Sequence, residues 1–160
     1  MKTVIISICA ATNEDYLAVN DLVREGHEEH VSEEPTVFKS VETVMPESYF
    51  NELLEDNNSH IFVAKSSELV VGFAVMSIET SPPFQSLVQR KYAYIHDFGV
   101  KKEIQKQGIG KLLFEHCKEW AIASGAASIQ LNVWEFNTKA IEFYEHIGMG
   151  SISRKMKINM

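Results

Sequence analysis

The chain has 160 residues, 45% of them hydrophobic and 23% charged, which is the composition of one globular domain with its own core. We therefore expect a single domain over 1–160. The formal net charge of −7 argues against a nucleic-acid-binding protein, because neutralising phosphates requires a clustered basic face. The sequence has no long apolar run and no leader-like N-terminal segment, so we expect a cytoplasmic protein that does not bind membranes.

Strand and helix patterns alternate in the first part of the chain. Residues 4–10 are rich in β-branched and apolar side chains, which predicts a strand, and 12–15 resemble a capping box that begins a helix. The helical spacing of apolar residues ends near Gly26, so we expect the helix to stop there and 27–46 to be irregular. A second helix is predicted over 46–55, with a proline in its first turn.

The pattern then changes to the two-residue period of strands. Residues 60–65 and 69–78 are two apolar, β-branched segments joined by a short polar turn, which predicts an antiparallel hairpin. A third strand is predicted over 92–100. Further along the chain the order becomes helix, strand, helix and strand, and these two strands are predicted over 128–133 and 151–158. This order predicts a mixed α/β (α+β) domain.

The most specific feature is a glycine-containing turn at the start of a long amphipathic helix. It reads Gln105-Lys106-Gln107-Gly108-Ile109-Gly110 and is followed by Lys111. Backbone N–H groups at a helix N-terminus bind a diphosphate, provided that no Cβ blocks its approach. Gly108 and Gly110 remove that obstacle, and the two lysines add positive charge. The turn therefore predicts a diphosphate-binding site.

Two common phosphate-binding motifs do not fit this turn. A Walker A loop requires glycine at the position of Gln105 and serine or threonine at that of Leu112. A dinucleotide fingerprint requires a third small residue where Leu113 stands. A nucleoside triphosphatase is therefore disfavoured, and a nicotinamide-dependent oxidoreductase retains only the glycine pair in its support.

The turn instead resembles the coenzyme A diphosphate motif of the GNAT superfamily of N-acetyltransferases, Gln-x-x-Gly-x-Gly. The segment from Asn137 to Tyr144 is similar to the family's Asn-x-x-Ala-x-x-Phe-Tyr helix, and the element order agrees over nearly the whole chain. The resemblance implies a GNAT-like fold: a central, mostly antiparallel sheet with a splayed strand pair and helices on both faces. It also implies acetyl-coenzyme A as co-substrate, no metal, and direct attack by a primary amine of a small molecule or peptide in a ternary complex. Because dimers are common in the family, a homodimer is expected as well.

The resemblance also assigns the coenzyme ligands and the general acid. Phe98 and Val100 would hold the pantetheine arm through their backbone groups, and Asn137 would be both an N-cap and a coenzyme ligand. Tyr144 would give its proton to the leaving sulfur, since a phenol with a pKa of about 10 is protonated at neutral pH. The turn supplies the remaining expected coenzyme ligands: Gln105, Lys106, Gln107, Gly108, Ile109, Gly110 and Lys111.

The sequence leaves the general base open. In the strand over 92–100, simple alternation puts Tyr94 and His96 on one face and Asp97 on the other. Several family members carry a glutamate on this strand, and this chain has none at the places of Tyr94 and His96. His96 has a suitable intrinsic pKa for a base, but a histidine making structural hydrogen bonds fits the pattern equally well.

The acceptor is expected to bind in the segment after the first helix and at the loop around 81–89, again by resemblance. His27, His30 and Tyr94 are the candidate acceptor-binding residues, and the neighbouring glutamates would form an acidic mouth that attracts a protonated amine. His27 and His30 stand three apart, but no third ligand is evident, so no metal site is predicted. A second interpretation is a non-catalytic acyl-coenzyme A sensor that keeps the turn and does no transfer. Tyr144 argues against it.

Overall fold

The computed structural model describes residues 5–160, in which five strands form one sheet and four α-helices flank it. Two single-turn 3₁₀ helices precede α1 and α3. The elements in chain order are β1 (Ile6–Ala10), α1 (Tyr16–Glu33), α2 (Glu47–Glu55), β2 (Ser59–Ser66), β3 (Leu69–Thr80), β4 (Lys91–Val100), α3 (Ile109–Ala123), β5 (Ile129–Leu131) and α4 (Thr138–His146).

The sheet has the strand order β1-β2-β3-β4-β5, with the first four strands antiparallel and the last pair parallel. The predicted hairpin is confirmed as β2–β3, and its turn contains Ser67 in the left-handed region at φ 56°. The parallel pair is short, since it runs only from Ala93↔Ile129 to Ile95↔Leu131. The expectation of a mostly antiparallel sheet is therefore confirmed.

Helices cover both faces of the sheet, as expected. On one face α1 and α2 pack their apolar stripes on β2 and β3, where Val19, Phe50 and Phe73 are almost fully buried. On the other face α3 packs Leu113 and Cys117 against the sheet. Burying one large apolar side chain contributes about 1.5–3 kcal/mol, so these two layers hold the sheet in place between the helices. No helix among residues 5–160 is long and apolar enough to cross a membrane.

The first helix is longer than the sequence predicts. It does not stop at Gly26 but continues to Glu33, so the irregular stretch begins only after that residue. The extension is held by polar contacts, which hydrophobic spacing cannot reveal: His27 Nε2 donates to the carbonyl of Lys39 at 2.8 Å, and Lys102 Nζ lies 2.9 Å from Glu29 Oε1. Tertiary contacts thus decide the end of this helix.

The strand predicted over 151–158 is wrong. Residues 151–160 have no regular secondary structure and pair with no other strand of the described chain, and all ten are exposed. Alternation of apolar and polar side chains predicts a strand only when a neighbouring strand can take its hydrogen bonds. The start of the first predicted strand, Val4, lies outside the described residues; within them the strand begins at Ile6.

Candidate functional site

A β-bulge in β4 organises the centre of the candidate site. Val75 of β3 pairs with Asp97 and the next residue, Met76, pairs with Ile95, so His96 is an extra residue without a partner. A bulge shifts the alternation of side chains in the strand that carries it. The expectation that Asp97 lies on the opposite face from Tyr94 is therefore wrong. Asp97 lies on the same face as Val75, which belongs to the core beneath α1 and α2.

The carboxyl group of Asp97 is buried on that face, and burial raises its pKa to about 6. The hydrogen bond from the backbone N–H of Phe98, 3.0 Å from Oδ1, acts in the opposite direction. So do the nearby side chains of His30 and His27 on α1. Asp97 is thus an ionised carboxylate at neutral pH that gains a proton under mildly acidic conditions, which suits a general base.

Tyr144 lies on α4 and packs against Phe98, the residue that follows Asp97. Its ring centroid is 6.1 Å from that of Phe98 and 5.3 Å from that of Phe143. Burial raises the pKa of the Tyr144 hydroxyl above its ordinary value, and the charge of Asp97 raises it further. The hydroxyl therefore stays protonated through the neutral range and can act as a proton donor. The sequence-based choice of Tyr144 as the acid is consistent with this environment.

His96, the bulged residue, takes part in a short hydrogen-bonded chain. Its Nε2 lies 2.7 Å from the hydroxyl of Ser77, which donates to Glu79 Oε1 at 2.8 Å. Because Ser77 has one hydroxyl proton and gives it to Glu79, His96 must donate from Nε2, which leaves Nδ1 with a free lone pair. Burial lowers the pKa of His96, and Glu79 partly opposes this shift. Tyr94 lies on the same side, with its ring 4.8 Å from that of His96.

Strands β4 and β5 separate beyond the bulge. Pairing between β4 and β5 ends at Ile95↔Leu131, so residues 96–100 of β4 have no strand beside them on that edge within the described chain. Phe98 and Val100, the predicted pantetheine-binding residues, both lie on this free stretch. An extended ligand with amide groups can bind such an edge as an added strand.

The glycine-containing turn lies directly after this edge. Gly108 is the N-cap of α3 with φ +84°, in the left-handed region, and a Cβ placed there would meet no atom within 4 Å. The space in front of the first N–H groups of α3 is therefore open. The side chain of Gln105 is directed inward and donates to the carbonyl of Val100 at 2.9 Å. This hydrogen bond closes the turn, so the backbone of Gln105, and not its side chain, is available to face a ligand.

Other residues of the turn have roles that the sequence did not reveal. Ile109 is buried, so only its backbone is available to a ligand, whereas Lys106, Gln107 and Lys111 are exposed. A Cβ on Gly110 would lie 3.1 Å from the ring of Phe143, so this glycine is needed mainly for the packing of α4 on α3. This packing role adds to the expectation that Gly110 clears space for the diphosphate, which stays a prediction.

The N-terminus of α4 forms as expected. Asn137 caps this helix through Oδ1, which accepts a hydrogen bond from the Ala140 N–H at 3.3 Å.

An aromatic cluster stands on the α1 side of Asp97. His27 and His30 both pack edge-on against Phe38, with ring centroids 5.6 and 5.3 Å apart. Trp134 and Phe136, which follow β5, complete the cluster: Phe38 is 5.4 Å from Trp134, and His30 is 5.4 Å from Phe136. We call these five residues the aromatic cluster. The two predicted histidines are thus brought together, while Phe38, Trp134 and Phe136 were missed.

The glutamates expected to form an acidic mouth are largely engaged in holding α1. Glu28 accepts a hydrogen bond from Ser40 at 2.7 Å, and Glu29 is paired with Lys102. Glu25 accepts a hydrogen bond from the backbone N–H of Lys102 at 3.1 Å, which connects α1 to the segment just before the glycine-containing turn. Within residues 5–160 no set of three His, Cys, Asp or Glu side chains is arranged to hold a metal ion.

Comparison with known proteins gives three findings. A profile of the family described as acetyltransferase (GNAT) family matches residues 23–149. The solved tetramutant of the BH1408 protein from Bacillus halodurans is similar over 96% of this chain and 99% of that chain, with 30% identity and a TM-score of 0.93. L-ornithine N5-acetyltransferase of Arabidopsis thaliana is 28% identical over 96 residues, which are 59% of this chain and 41% of that enzyme, so the chain matches less than half of this curated relative.

Proposed function

The chain belongs to the GNAT family of acetyltransferases, and we propose that it transfers an acetyl group from acetyl-coenzyme A to a primary amine. The observation that carries the proposal is the position of Asp97 and Tyr144. Asp97 lies on β4 beyond the end of the β4–β5 pairing, and Tyr144 packs against the next residue, Phe98. The carboxylate is suited to accept a proton and the phenol to donate one, and the charge of Asp97 acts on the Tyr144 hydroxyl. The free edge of β4 leads into the glycine-containing turn.

The chain offers acetyl-coenzyme A two binding surfaces. The diphosphate would accept hydrogen bonds from the N–H groups at the start of α3, where Gly108 leaves open space and Lys106 and Lys111 are exposed. The pantetheine amides would bind the free edge of β4 at Phe98 and Val100. This arrangement directs the thioester toward Asp97 and Tyr144.

Transfer then needs one proton acceptor and one proton donor. The amine nitrogen attacks the thioester carbonyl carbon, a C–N bond forms, and the nitrogen's proton passes to the Asp97 carboxylate. The C–S bond breaks, and the sulfur takes the hydroxyl proton of Tyr144. Solvent then removes the proton from Asp97 and returns one to Tyr144. His96 is the second candidate base through its free Nδ1, and it remains the alternative to Asp97.

The acceptor we propose is a small cationic amine, or a peptide amine, that enters past the aromatic cluster. Aromatic faces attract an ammonium group and also pack on the alkyl chain that carries it. Asp97 lies beyond the cluster and would orient the amine. Ornithine, the substrate named for one relative, has an amine of this kind on a short chain.

The experiment measures thiol release from acetyl-coenzyme A with ornithine, lysine, polyamines, aminoglycosides and peptides as acceptors. We expect turnover on one class, strongly reduced in Tyr144→Phe, while coenzyme binding measured by calorimetry stays unchanged. Tyr92→Phe, which removes a tyrosine hydroxyl near the start of β4, is the matched control and should retain activity. Tight coenzyme binding without turnover on any acceptor would favour the sensor interpretation.

A further inference from the structure

The face of the sheet that carries Asp97 continues beyond the apolar core. Val75, Ser77 and Glu79 alternate along β3 and therefore lie on one face. Val75 belongs to the core beneath α1 and α2, whereas the next two residues on this face are polar. The side chain of Glu79 is half-buried, so it keeps contact with solvent. The surface beyond Val75 is thus a polar and partly open continuation of the candidate site.

The opposite strand adds an aromatic ring to this surface. Ser77 pairs with Tyr94, which is half-buried, and directly paired residues of neighbouring strands lie on the same face. Asp97, which pairs with Val75, lies at one end of the surface, and Glu79 lies at the other. We call Ser77, Glu79, Tyr94 and Asp97 the polar strip. It has a carboxyl group at each end and a tyrosine ring between them.

The carboxylate of Glu79 is only partly satisfied by the protein. Its Oε1 accepts the hydroxyl proton of Ser77 at 2.8 Å, and no other side-chain hydrogen bond within residues 5–160 reaches it. In the same part of the chain, no lysine or arginine forms a salt bridge with Glu79. Burial lowers the pKa of His96, against the opposing effect of Glu79, so this ring is mainly neutral at neutral pH. A half-buried negative charge is therefore left without a cation.

The two carboxyl groups are spaced for a long ligand. The partner of Asp97, Val75, comes four residues before Glu79, which is about 13 Å along a strand. Glu79 reaches back to Ser77, so its carboxylate lies closer to Asp97 than its backbone does. A molecule with an amine at each end of a chain of methylene groups can meet both carboxyl groups at once. A molecule with one amine cannot.

The polar strip also favours a methylene chain over a peptide. β3 and β4 pair with each other along this stretch, so their backbone groups are already hydrogen-bonded. A peptide lying across them would remove its own N–H and C=O groups from water without gaining partners, which is unfavourable. A methylene chain has no such groups and can pack on the ring of Tyr94, whose face also attracts an ammonium group.

We propose that Glu79 binds a second ammonium group of the acceptor, and that the acceptor is a linear diamine or polyamine. One amine nitrogen faces Asp97 and attacks the thioester carbonyl, while the other end of the molecule is held by Glu79. Glu79 takes no part in the proton transfers, so it determines specificity and not the chemistry. The inference rests on the proposed acetyl transfer, which assigns the Asp97 end of the polar strip to the reacting amine.

The test compares a diamine with a monoamine of the same chain length. Thiol release from acetyl-coenzyme A is measured with diaminooctane and with octylamine, for the wild type and for Glu79→Gln, whose amide oxygen can still accept from Ser77. We expect the wild type to have the lower KM for diaminooctane. Glu79→Gln should raise that KM by about 5- to 20-fold, because it removes one charged hydrogen bond. The KM for octylamine and the KM for acetyl-coenzyme A should stay unchanged.

Glu68→Gln is the matched control, because it removes the same charge from the exposed β2–β3 turn at the opposite end of β3. It should leave the KM values of both amines unchanged. Equal KM values for the two amines in the wild type would overturn the inference and leave the proposed acetyl transfer intact. An equal rise of both values in Glu79→Gln would do the same.

A binding measurement keeps the inference separate from the proposed function. If neither amine is acetylated, calorimetry of the two amines with the coenzyme A complex decides the matter. Diaminooctane should bind the wild type more tightly than octylamine does, and Glu79→Gln should abolish the difference. Equal binding of the two amines to the wild type would overturn the inference.

Discussion

The backbone N–H of Phe98 donates a hydrogen bond to the carboxylate of Asp97 at 3.0 Å. By the family resemblance, backbone groups of Phe98 and Val100 are expected to hold the pantetheine arm and polarise the acetyl carbonyl. An acetyl carbonyl bound at the Phe98 N–H would compete with Asp97 for it. Loss of this hydrogen bond removes a contact that lowers the Asp97 pKa. Docking of the acetyl group would therefore make Asp97 a stronger base.

The first prediction follows from this competition. The free enzyme should show an Asp97 pKa of about 6, and the complex with acetyl-coenzyme A a higher one. NMR titration of the Asp97 carboxyl in the two states measures both values. An unchanged or lower pKa in the complex would mean that the Phe98 N–H stays on Asp97.

The identity of the base is tested by two isosteric substitutions. Asp97→Asn should lower kcat by about 10²–10⁴-fold and remove the acidic limb of the pH–rate profile, because general base catalysis contributes about that much. His96→Gln should keep the limb, since glutamine still donates to Ser77. The reverse pattern would assign the base to His96 and leave Asp97 a structural role.

Asp97→Asn should raise the free energy of unfolding although it lowers activity. The folded-state pKa is raised from 3.8 to about 6, so the folded state binds the proton more tightly than the unfolded state. Ionisation of Asp97 therefore lowers the free energy of unfolding. The loss is zero at pH values below the unfolded-state pKa and complete above the folded-state pKa. Two pH units correspond to about 3 kcal/mol as an upper bound.

We expect Asp97→Asn to be more stable than wild type by about 1–3 kcal/mol at pH 7, as measured by urea unfolding. The difference should shrink as the pH falls below 6 and vanish only below pH 3.8, where the wild-type carboxyl is protonated in both the folded and the unfolded state. A constant difference across this range would mean that the gain arises from packing and not from the charge.

Much of the fold could be predicted from the sequence, because its central elements have strong local patterns. The β2–β3 hairpin, α3 with its glycine N-cap, and α4 with Asn137 as cap all follow from short-range rules. The bulge at His96 could not be predicted, since it depends on how β4 pairs with β3. That single residue decides the face on which Asp97 lies, and with it the most important group of the candidate site.

The aromatic cluster was missed for a related reason. His27 and His30 could be grouped by helical spacing, but Phe38 lies in an irregular segment and Trp134 comes from the other end of the chain. The only available signal was the pair of aromatic residues just before Asn137. Similarly, the helical spacing of apolar residues ends at Gly26, although α1 itself continues to Glu33. Polar contacts with Lys39 and Lys102 hold this last part of the helix.

The packing role of Gly110 gives a prediction about stability. Gly110→Ala should destabilise the protein by about 1–3 kcal/mol, because the new Cβ overlaps the ring of Phe143 at 3.1 Å. Phe143→Leu, which is smaller, should recover part of this loss in the double variant. Unfolding of the two single variants and the double variant by urea measures the coupling. Additive effects would mean that the methyl group is accommodated elsewhere.

The aromatic cluster should determine how tightly the acceptor binds, without affecting the coenzyme. Trp134, 38% exposed, is stacked on Phe136 with ring centroids 5.8 Å apart, so Trp134→Ala removes an accessible aromatic face and leaves the buried core intact. Loss of a cation–π contact of about 0.5–2 kcal/mol predicts a rise of about 2- to 30-fold in the KM for the acceptor, with the KM for acetyl-coenzyme A unchanged. Leu17→Ala, which removes an exposed apolar side chain at the start of α1, is the control and should change neither constant. An unchanged acceptor KM in Trp134→Ala would mean that the amine enters by another path.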